Sequence, residues 1–406
     1  MRICLVYDCL YPYTIGGGER WYRNLAEHLA DAGHEVTYVT LRQWQRGERL
    51  DLDERVRVVT AGPRMALYTA GGRRRILPPL VFGLGVLWHL LRHARRYDVV
   101  HACAFPYFSL LSAALVRPLR RYSLEVDWFE VWSDSYWRDY LGGLGGRIGG
   151  LVQRLCARVP QRAFCFSELH AARLREEGLN GAVTVLRGLY ADDGAQPSHD
   201  DDAAAGGCPL VLFAGRLIAE KQATLGVTAI ALAAPRIESL RGEFLGDGPE
   251  REALQESIVE HGLMDSVTAP GFADAATLDR EMRRAMCMLL PSRREGYGLV
   301  VVEAAAKGTP SVVVAGEDNA ATELIEEGIN GTVALRSDPQ AIADAIVRVH
   351  EAGPALRART AAWYAANAER LSVESSLRTV LAGYGGPGAA GEGGSTGASG
   401  QPSARA

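Results

Sequence analysis

The chain has 406 residues and a formal net charge of -4, which is enough length for two domains of ordinary size and leaves no global basic field of the kind nucleic-acid binding uses. Of its 44 basic residues only Lys221 and Lys307 are lysines, so each stands out against an arginine background. The seven cysteines (Cys4, Cys9, Cys103, Cys156, Cys165, Cys208, Cys287) show no short paired spacing, which argues for free thiols in a reducing compartment rather than a disulfide framework or a zinc site.

Residues 2–7 are a short apolar run in which Arg2 is the sole basic residue, without the basic region and small-residue cleavage site of a secretory leader, so a cytoplasmic location is expected. Gly16, Gly17 and Gly18 follow, then a helical pattern over 19–32 that ends in Gly33, then a second apolar run over 35–40. Together they read as one strand, loop, helix and strand unit. His34, in the loop entering that second strand, reads as structural, and Asp51, Leu52 and Asp53 as a surface loop. Residues 76–91 are an apolar stretch of 16 between Arg73, Arg74, Arg75 and Arg92. That is shorter than the roughly 20 residues needed to cross a bilayer and includes Pro78 and Pro79, so a buried helix is expected, with peripheral attachment through the arginines as the alternative.

Strand-like runs at 55–60, 98–102 and 122–126 alternate with helical stretches at 79–94 and 109–115, and runs at 162–166 and 183–186 flank a helix at 168–177. Such alternation implies a parallel sheet covered by helices. Residues 192–207 shift to Asp, Ala, Gly, Pro and Ser without apolar periodicity and read as a linker. The pattern then restarts, with strands at 209–214, 241–245, 266–269, 286–290 and 311–315 and helices at 223–232 and 250–261. Residues 385–406 have no large apolar side chain and are expected to be disordered. The organisation is therefore a domain over 1–191, a linker over 192–207, a second domain over 208–370, a helix over 371–384 returning to the first domain, and a tail.

Three motifs carry chemistry. Gly215, Arg216 and Leu217, then Glu220 and Lys221, directly follow a strand; a glycine admits close approach to the backbone, and Arg216 with Lys221 supplies two cations suited to a diphosphate. The alternative for that segment is a solvated charged loop. Glu295, Gly296, Tyr297, Gly298, Leu299 and Glu303 follow the strand ending at Leu290. Glycines beside a helix start can present N–H groups to phosphate, while the two glutamates can accept from sugar and ribose hydroxyls. Gly246, Asp247 and Gly248 lie in a turn between a strand and a helix, where ligands bind in open α/β sheets; a plain connecting turn explains them equally well.

In this order, from the glycine-rich first loop to the paired glutamates, the chain resembles the family-four retaining glycosyltransferases of GT-B fold, in which two Rossmann-like domains face each other across a cleft. The resemblance implies a metal-independent transfer from a nucleotide diphosphate sugar, UDP- or GDP-linked, to a small-molecule or lipid acceptor. The first domain would then hold the acceptor and the second the sugar nucleotide. Arg216 and Lys221 would neutralise the donor diphosphate, Glu295 would contact the sugar, Glu303 would hold the ribose, and Gly17 and Gly18 would let the first loop close over the phosphates. The Gly246, Asp247, Gly248 turn would face the base, and Gly296, Tyr297, Gly298 and Leu299 would complete the donor site.

One position departs from the pattern. Many relatives have a histidine within a Trp, His, Glu, Val, Trp stretch, and here the run is Trp128, Phe129, Glu130, Val131, Trp132. Either Asp127 or Glu130 takes over the polar contact, or the acceptor is a sulfur or nitrogen nucleophile needing little base assistance, or Phe129 merely packs and activity is lost. The aromatic cluster Trp128, Phe129, Trp132, Tyr136, Trp137 and Tyr140 fits an acceptor pocket and core packing equally. His101 reads as structural. Outside a transferase, the alternatives are a catalytically silent sugar-nucleotide binding protein, or an epimerase or phosphorylase on the same scaffold.

Overall fold

Runs rich in Val, Ile and Leu, bounded by polar turns, become strands covered on both faces in the computed structural model, which describes residues 1–45, 47–69, 74–191 and 208–384. The linker at 192–207, the tail at 385–406 and Arg73 lie outside the described residues. In the amino-terminal half, β1 (Arg2–Val6), β2 (Glu35–Thr40), β3 (Arg57–Thr60), β4 (Val99–Cys103), β5 (Ser123–Trp128), β6 (Arg162–Cys165) and β7 (Val183–Val185) form a parallel sheet in the order β3-β2-β1-β4-β5-β6-β7. Helices α1 (Gly17–Asp31), α2 (Leu77–His93), α3 (Tyr107–Arg120), α4 (Asp134–Ala157) and α5 (Glu168–Glu176) connect these strands.

The carboxyl-terminal half repeats the plan. Strands β8 (Leu210–Ala214), β9 (Arg241–Leu245), β10 (Val267–Gly271), β11 (Cys287–Leu290), β13 (Ser311–Val314) and β15 (Gly331–Ala334) form a six-stranded sheet in the order β10-β9-β8-β11-β13-β15. Between them run α6 (Ala223–Ala233), α7 (Arg251–Glu260), α8 (Ala275–Arg284) and α9 (Leu299–Ala306). A small ribbon of β12 (Arg294–Glu295) paired with β14 (Asp318–Asn319) sits outside the main sheet. Each sheet reverses its winding beside its first strand, between β1 and β4 and between β8 and β11. Ligands of doubly wound sheets bind in the crevice at the carboxyl ends of such neighbouring strands.

Local chemistry sets the element ends. Helix α1 buries Trp21, Tyr22, Leu25, Ala26, Leu29 and Ala30, a stripe at helical spacing, and its opposite face is solvated. It stops where Gly33 takes φ +79°, with the Gly33 and His34 N–H groups donating to Ala30 and Leu29 carbonyls at 3.0 Å each. The long α10 (Pro339–Leu371) kinks at Gly353, followed by Pro354, which cannot continue the hydrogen-bond ladder. From its end the chain passes to α11 (Val373–Tyr384), whose Leu377, Val380 and Tyr384 are buried in the same cluster as β1, β4 and β5. There the Gly188 N–H donates to Ser376 Oγ at 3.0 Å, and Tyr384 Oη meets His101 Nδ1 at 2.5 Å.

Two expectations change. Helix α2 is not buried all round: Pro78, Phe82, Val86 and Leu90 face the core, while Leu77, Leu84 and Trp88 are exposed, because the helix packs beside α3 and on the sheet with only one of its apolar faces. Strand β15 and the β12–β14 ribbon are absent from the sequence reading, since Gly331–Ala334 and two-residue strands have too little periodicity to register. Six cysteines are buried and only Cys208 is exposed.

Candidate active-site cleft

On the carboxyl-terminal side the site is built from backbone packed on backbone. Gly215 and Leu217 donate to the carbonyls of Leu245 and Asp247 at 3.0 and 2.9 Å, so the loop after β8 is laid against the loop after β9. Gly246 (φ +151°) and Gly248 (φ +156°) make that contact: a Cβ on Gly246 would stand 1.8 Å from the Gly215 carbonyl oxygen, and one on Gly248 would stand 2.3 Å from that of Leu217. No L side chain fits either position. The turn thus sets the position of Arg216, while the Asp247 side chain is exposed and caps the Gly248 N–H at 2.8 Å. Gly246→Ala is expected to destabilise the chain by about 2–3 kcal/mol through strain at this contact, read as a lower urea midpoint at unchanged slope; a midpoint within error of the parent would contradict the contact.

Past this loop a 3₁₀ turn, Ala219–Lys221, is closed by Gln222 in a left-handed conformation and holds Lys221 against Glu295, whose carboxylate accepts a hydrogen bond from the lysine Nζ. Both side chains are largely buried, at 21% and 10% exposure. Arg216 is exposed and makes no ion pair with another described residue. Gly298 (φ +94°) starts α9, on which Glu303 sits half-buried, its carboxyl pushed above the ordinary carboxylate range by burial.

The amino-terminal side offers the ends of β1, β4 and β5. Glu19, in the first turn of α1, is buried and folds over Gly16; burial, reinforced by the Asp8 carboxylate and opposed by Arg74 and Arg216, raises its pKa. Asp8 is fully buried and pairs with Arg74, whose guanidinium lies over the Phe105 ring at 5.0 Å and whose backbone N–H donates to Tyr140 Oη at 3.1 Å. The Phe129 ring stacks on Phe166 with centroids 4.6 Å apart, so it is a packing residue on the core side. A Cβ on Gly18 would meet Tyr7 Oη at 2.9 Å and the Phe129 ring at 3.3 Å, whereas Gly17 has nothing near it.

Charged groups bridge the cleft. Glu130 pairs with Arg294, whose guanidinium lies 4.9 Å from the Trp132 ring and 4.4 Å from that of Tyr136. Tyr136 Oη donates to Glu220 at 3.1 Å, Arg173 pairs with Asp318 at 2.5 Å, and Arg20 stands 3.7 Å from Glu303. A Cβ on Gly296 would come within 2.6 Å of the Phe129 carbonyl oxygen, so this glycine admits the opposite domain's backbone.

The fold therefore brings Arg216, Lys221, Glu295, Gly296, Gly298, Glu303 and Glu130 to one cleft. It does not bring Asp127 there. That carboxylate is fully buried, accepts from Trp21 Nε1 at 2.7 Å and lies 2.9 Å from His101 Nε2, because β5 alternates its side chains and Asp127 points to the α1 face. Tyr297 is likewise turned inward, its hydroxyl donating to the Arg187 carbonyl at 2.5 Å, and Leu299 packs against the apolar cluster that the two halves share. Of the aromatic cluster, Trp128, Tyr136 and Trp137 are buried, and Trp132 and Tyr140 are half-buried at the cleft. Arg294, Arg173, Asp318, Asp8 and Glu19 escaped the sequence reading as site residues, and Arg74, read there only as an arginine flanking the apolar stretch, is instead largely buried against Asp8. An arginine is inconspicuous in this composition, and the bridging partners stand 145 to 164 residues apart; only Glu19, first carboxylate after the glycine cluster, had a local signal.

Comparison with known proteins agrees with this geometry. Residues 196–365 match the model of Glycosyl transferases group 1, and residues 16–188 that of the Glycosyl transferase 4-like domain. The chain is 34% identical over 153 residues to Alpha-D-kanosaminyltransferase of Streptomyces kanamyceticus, an alignment that spans 38% of the chain and only 39% of that relative's length. Its fold is similar to that of Sucrose-phosphate synthase from Thermosynechococcus elongatus, with TM-score 0.74, 20% identity and coverage of 94% of this chain and 98% of that one. It is similar also to Anabaena HepE in complex with UDP, with TM-score 0.69, 18% identity and coverage of 94% and 99%. With one family model on each Rossmann-like half, the chain belongs to the group 1 glycosyl transferases of GT-B fold.

Proposed function

We propose that the chain transfers a sugar from a nucleotide diphosphate sugar to a small-molecule or lipid acceptor, with retention of configuration. The observation that carries the reading is the pairing of Lys221 with Glu295 beside exposed Arg216, at the carboxyl ends of the neighbouring strands β8 and β11. An ammonium has three donors, so Lys221 can keep Glu295 and still reach a phosphate oxygen. Glu295 then acts as the group that aims Lys221, besides contacting the sugar, and the diphosphate charge is met by Arg216 and Lys221 in place of a metal ion. In this reading Glu303 accepts from the ribose hydroxyls, and the Gly246 to Gly248 turn faces the base.

Retention is supported by what the cleft carboxylates are already doing. Glu130 and Glu295 each neutralise a cation, Arg294 and Lys221, so neither is a free base on the acceptor side. The proton of the acceptor then passes to the departing phosphate oxygen, or the acceptor is an amine or thiol that attacks with little help. Because HepE was solved with UDP, UDP is the first nucleotide to test, followed by GDP.

A thermal-shift series with UDP, GDP, ADP and dTDP tests the donor site: one nucleotide is expected to raise the unfolding midpoint of the parent and leave Lys221→Ala unmoved. No shift with any of the four removes the sugar-nucleotide reading. Binding without transfer and without donor hydrolysis leaves a catalytically silent sugar-nucleotide binding protein.

A further inference from the structure

Helices α2, α3 and α4 lie side by side on one face of the amino-terminal sheet, α2 and α3 so close that Ser112 Oγ donates to the Gly83 carbonyl at 2.8 Å. The outer surface of this layer is apolar. Leu77, Leu80, Leu84, Trp88 and Leu91 recur at intervals of three and four along α2 and are all exposed, Leu84 and Trp88 by 68% and 61%. The stripe continues on Leu115 and Leu119 of α3 and on Leu144, Ile148 and Leu151 of α4, where Leu144 reaches 75% exposure. Scattered apolar residues on a surface need no explanation, but stripes at helical spacing on three neighbouring helices form a continuous face.

Along the α2 and α3 part of that face the charge is one-sided. From Arg55 to Leu124 the chain has twelve arginines and one acidic residue, Asp98, although the whole chain is net negative. Asp98 is itself paired with Arg2 at 2.7 Å. Arg75, Arg92, Arg95, Arg96 and Arg121 are exposed around the ends of α2 and α3, and Arg92 stacks over Trp88. A tryptophan and leucines ringed by arginines is the composition of a surface that enters the headgroup layer of an anionic bilayer. A second copy of the chain is a poor occupant: two such faces brought together would set arginine rims against each other, with almost no acid in this segment to pair them.

We propose that the α2–α3–α4 face docks onto an anionic membrane surface, the leucines and Trp88 entering the interface and the arginines holding lipid phosphates. All three helices begin at the carboxyl edge of the sheet, where Arg74, Phe105 and Trp132 lie. Docking therefore keeps the amino-terminal side of the cleft beside the headgroup layer. The docking does not depend on the donor reading, since none of these side chains contacts Lys221, Glu295 or Glu303.

Flotation of the full chain with vesicles of phosphatidylglycerol and phosphatidylcholine, against vesicles of phosphatidylcholine alone, tests it. Binding to the anionic vesicles only, weakened by added salt, is the expected result. Leu84→Glu with Trp88→Glu, and separately Arg92→Glu with Arg95→Glu, are each expected to lower the bound fraction about tenfold or more. The unfolding midpoint and the nucleotide-induced shift are expected to stay at parent values, because these side chains are exposed. The proposal is overturned if the parent ignores both vesicle types, if the substituted chains float as well as the parent does, or if the parent is a dimer that Leu84→Glu with Trp88→Glu converts to monomer without any effect of lipid.

Discussion

Lys221→Ala is expected to lower turnover by about 10²–10³-fold, the effect of removing one preorganised charge partner from a developing anion. Two consequences add. The leaving diphosphate loses a cation held in place by Glu295, and the Glu295 carboxylate, largely buried, is left unpaired beside the incoming phosphates. Repulsion from that carboxylate should weaken donor binding too, so both kcat and kcat/KM fall and the nucleotide-induced rise in Tm disappears. Lys221→Ala combined with Glu295→Gln separates the two effects: removing the stranded charge should restore part of the binding but little of the turnover. Steady-state transfer by Lys221→Ala within about threefold of the parent would remove the lysine from the diphosphate site.

Much of this arrangement was legible because it depends on short-range rules. Strands such as Arg241–Leu245, and the glycine that ends α1, follow from apolar runs and from the one residue that tolerates positive φ. Lys221 stood out because only one other lysine exists in the chain, and Gly246 and Gly248 because glycines flanking an aspartate after a strand mark a special turn. What the turn does was not legible: its contact with Gly215 and Leu217 joins loops after different strands, and only the fold sets them edge to edge. The same holds for Glu130 with Arg294 and Arg173 with Asp318, where each partner lies in the other domain. A carboxylate near a strand end can face the cleft or the core, and the sequence pattern around Asp127 does not separate the two, since the strand is buried on both faces.

Asp127 carries the second large effect, on stability rather than on turnover. Its carboxylate holds Trp21 Nε1 at 2.7 Å and stands 2.9 Å from His101 Nε2, and the other nitrogen of that imidazole meets Tyr384 Oη at 2.5 Å. The cluster therefore ties α1, β4, β5 and the last turn of α11 together in a region that excludes water. Asp127→Ala leaves the Trp21 N–H buried without its acceptor and removes the carboxylate that stands beside the buried His101 imidazole, for an expected loss of about 3 kcal/mol. Tyr384→Phe, which removes a single hydroxyl from the far end, should cost about 1 kcal/mol. Denaturant unfolding reads both, and the activity that remains, normalised to the folded fraction, reads the alternative role. If Asp127→Ala unfolds at nearly the parent midpoint but loses transfer, the carboxylate belongs to the cleft after all. If stability falls and normalised transfer holds, the hydrogen-bonding place vacated by the usual histidine is not filled from this strand, and Glu130 on the opposite side of Phe129 becomes the group to substitute next.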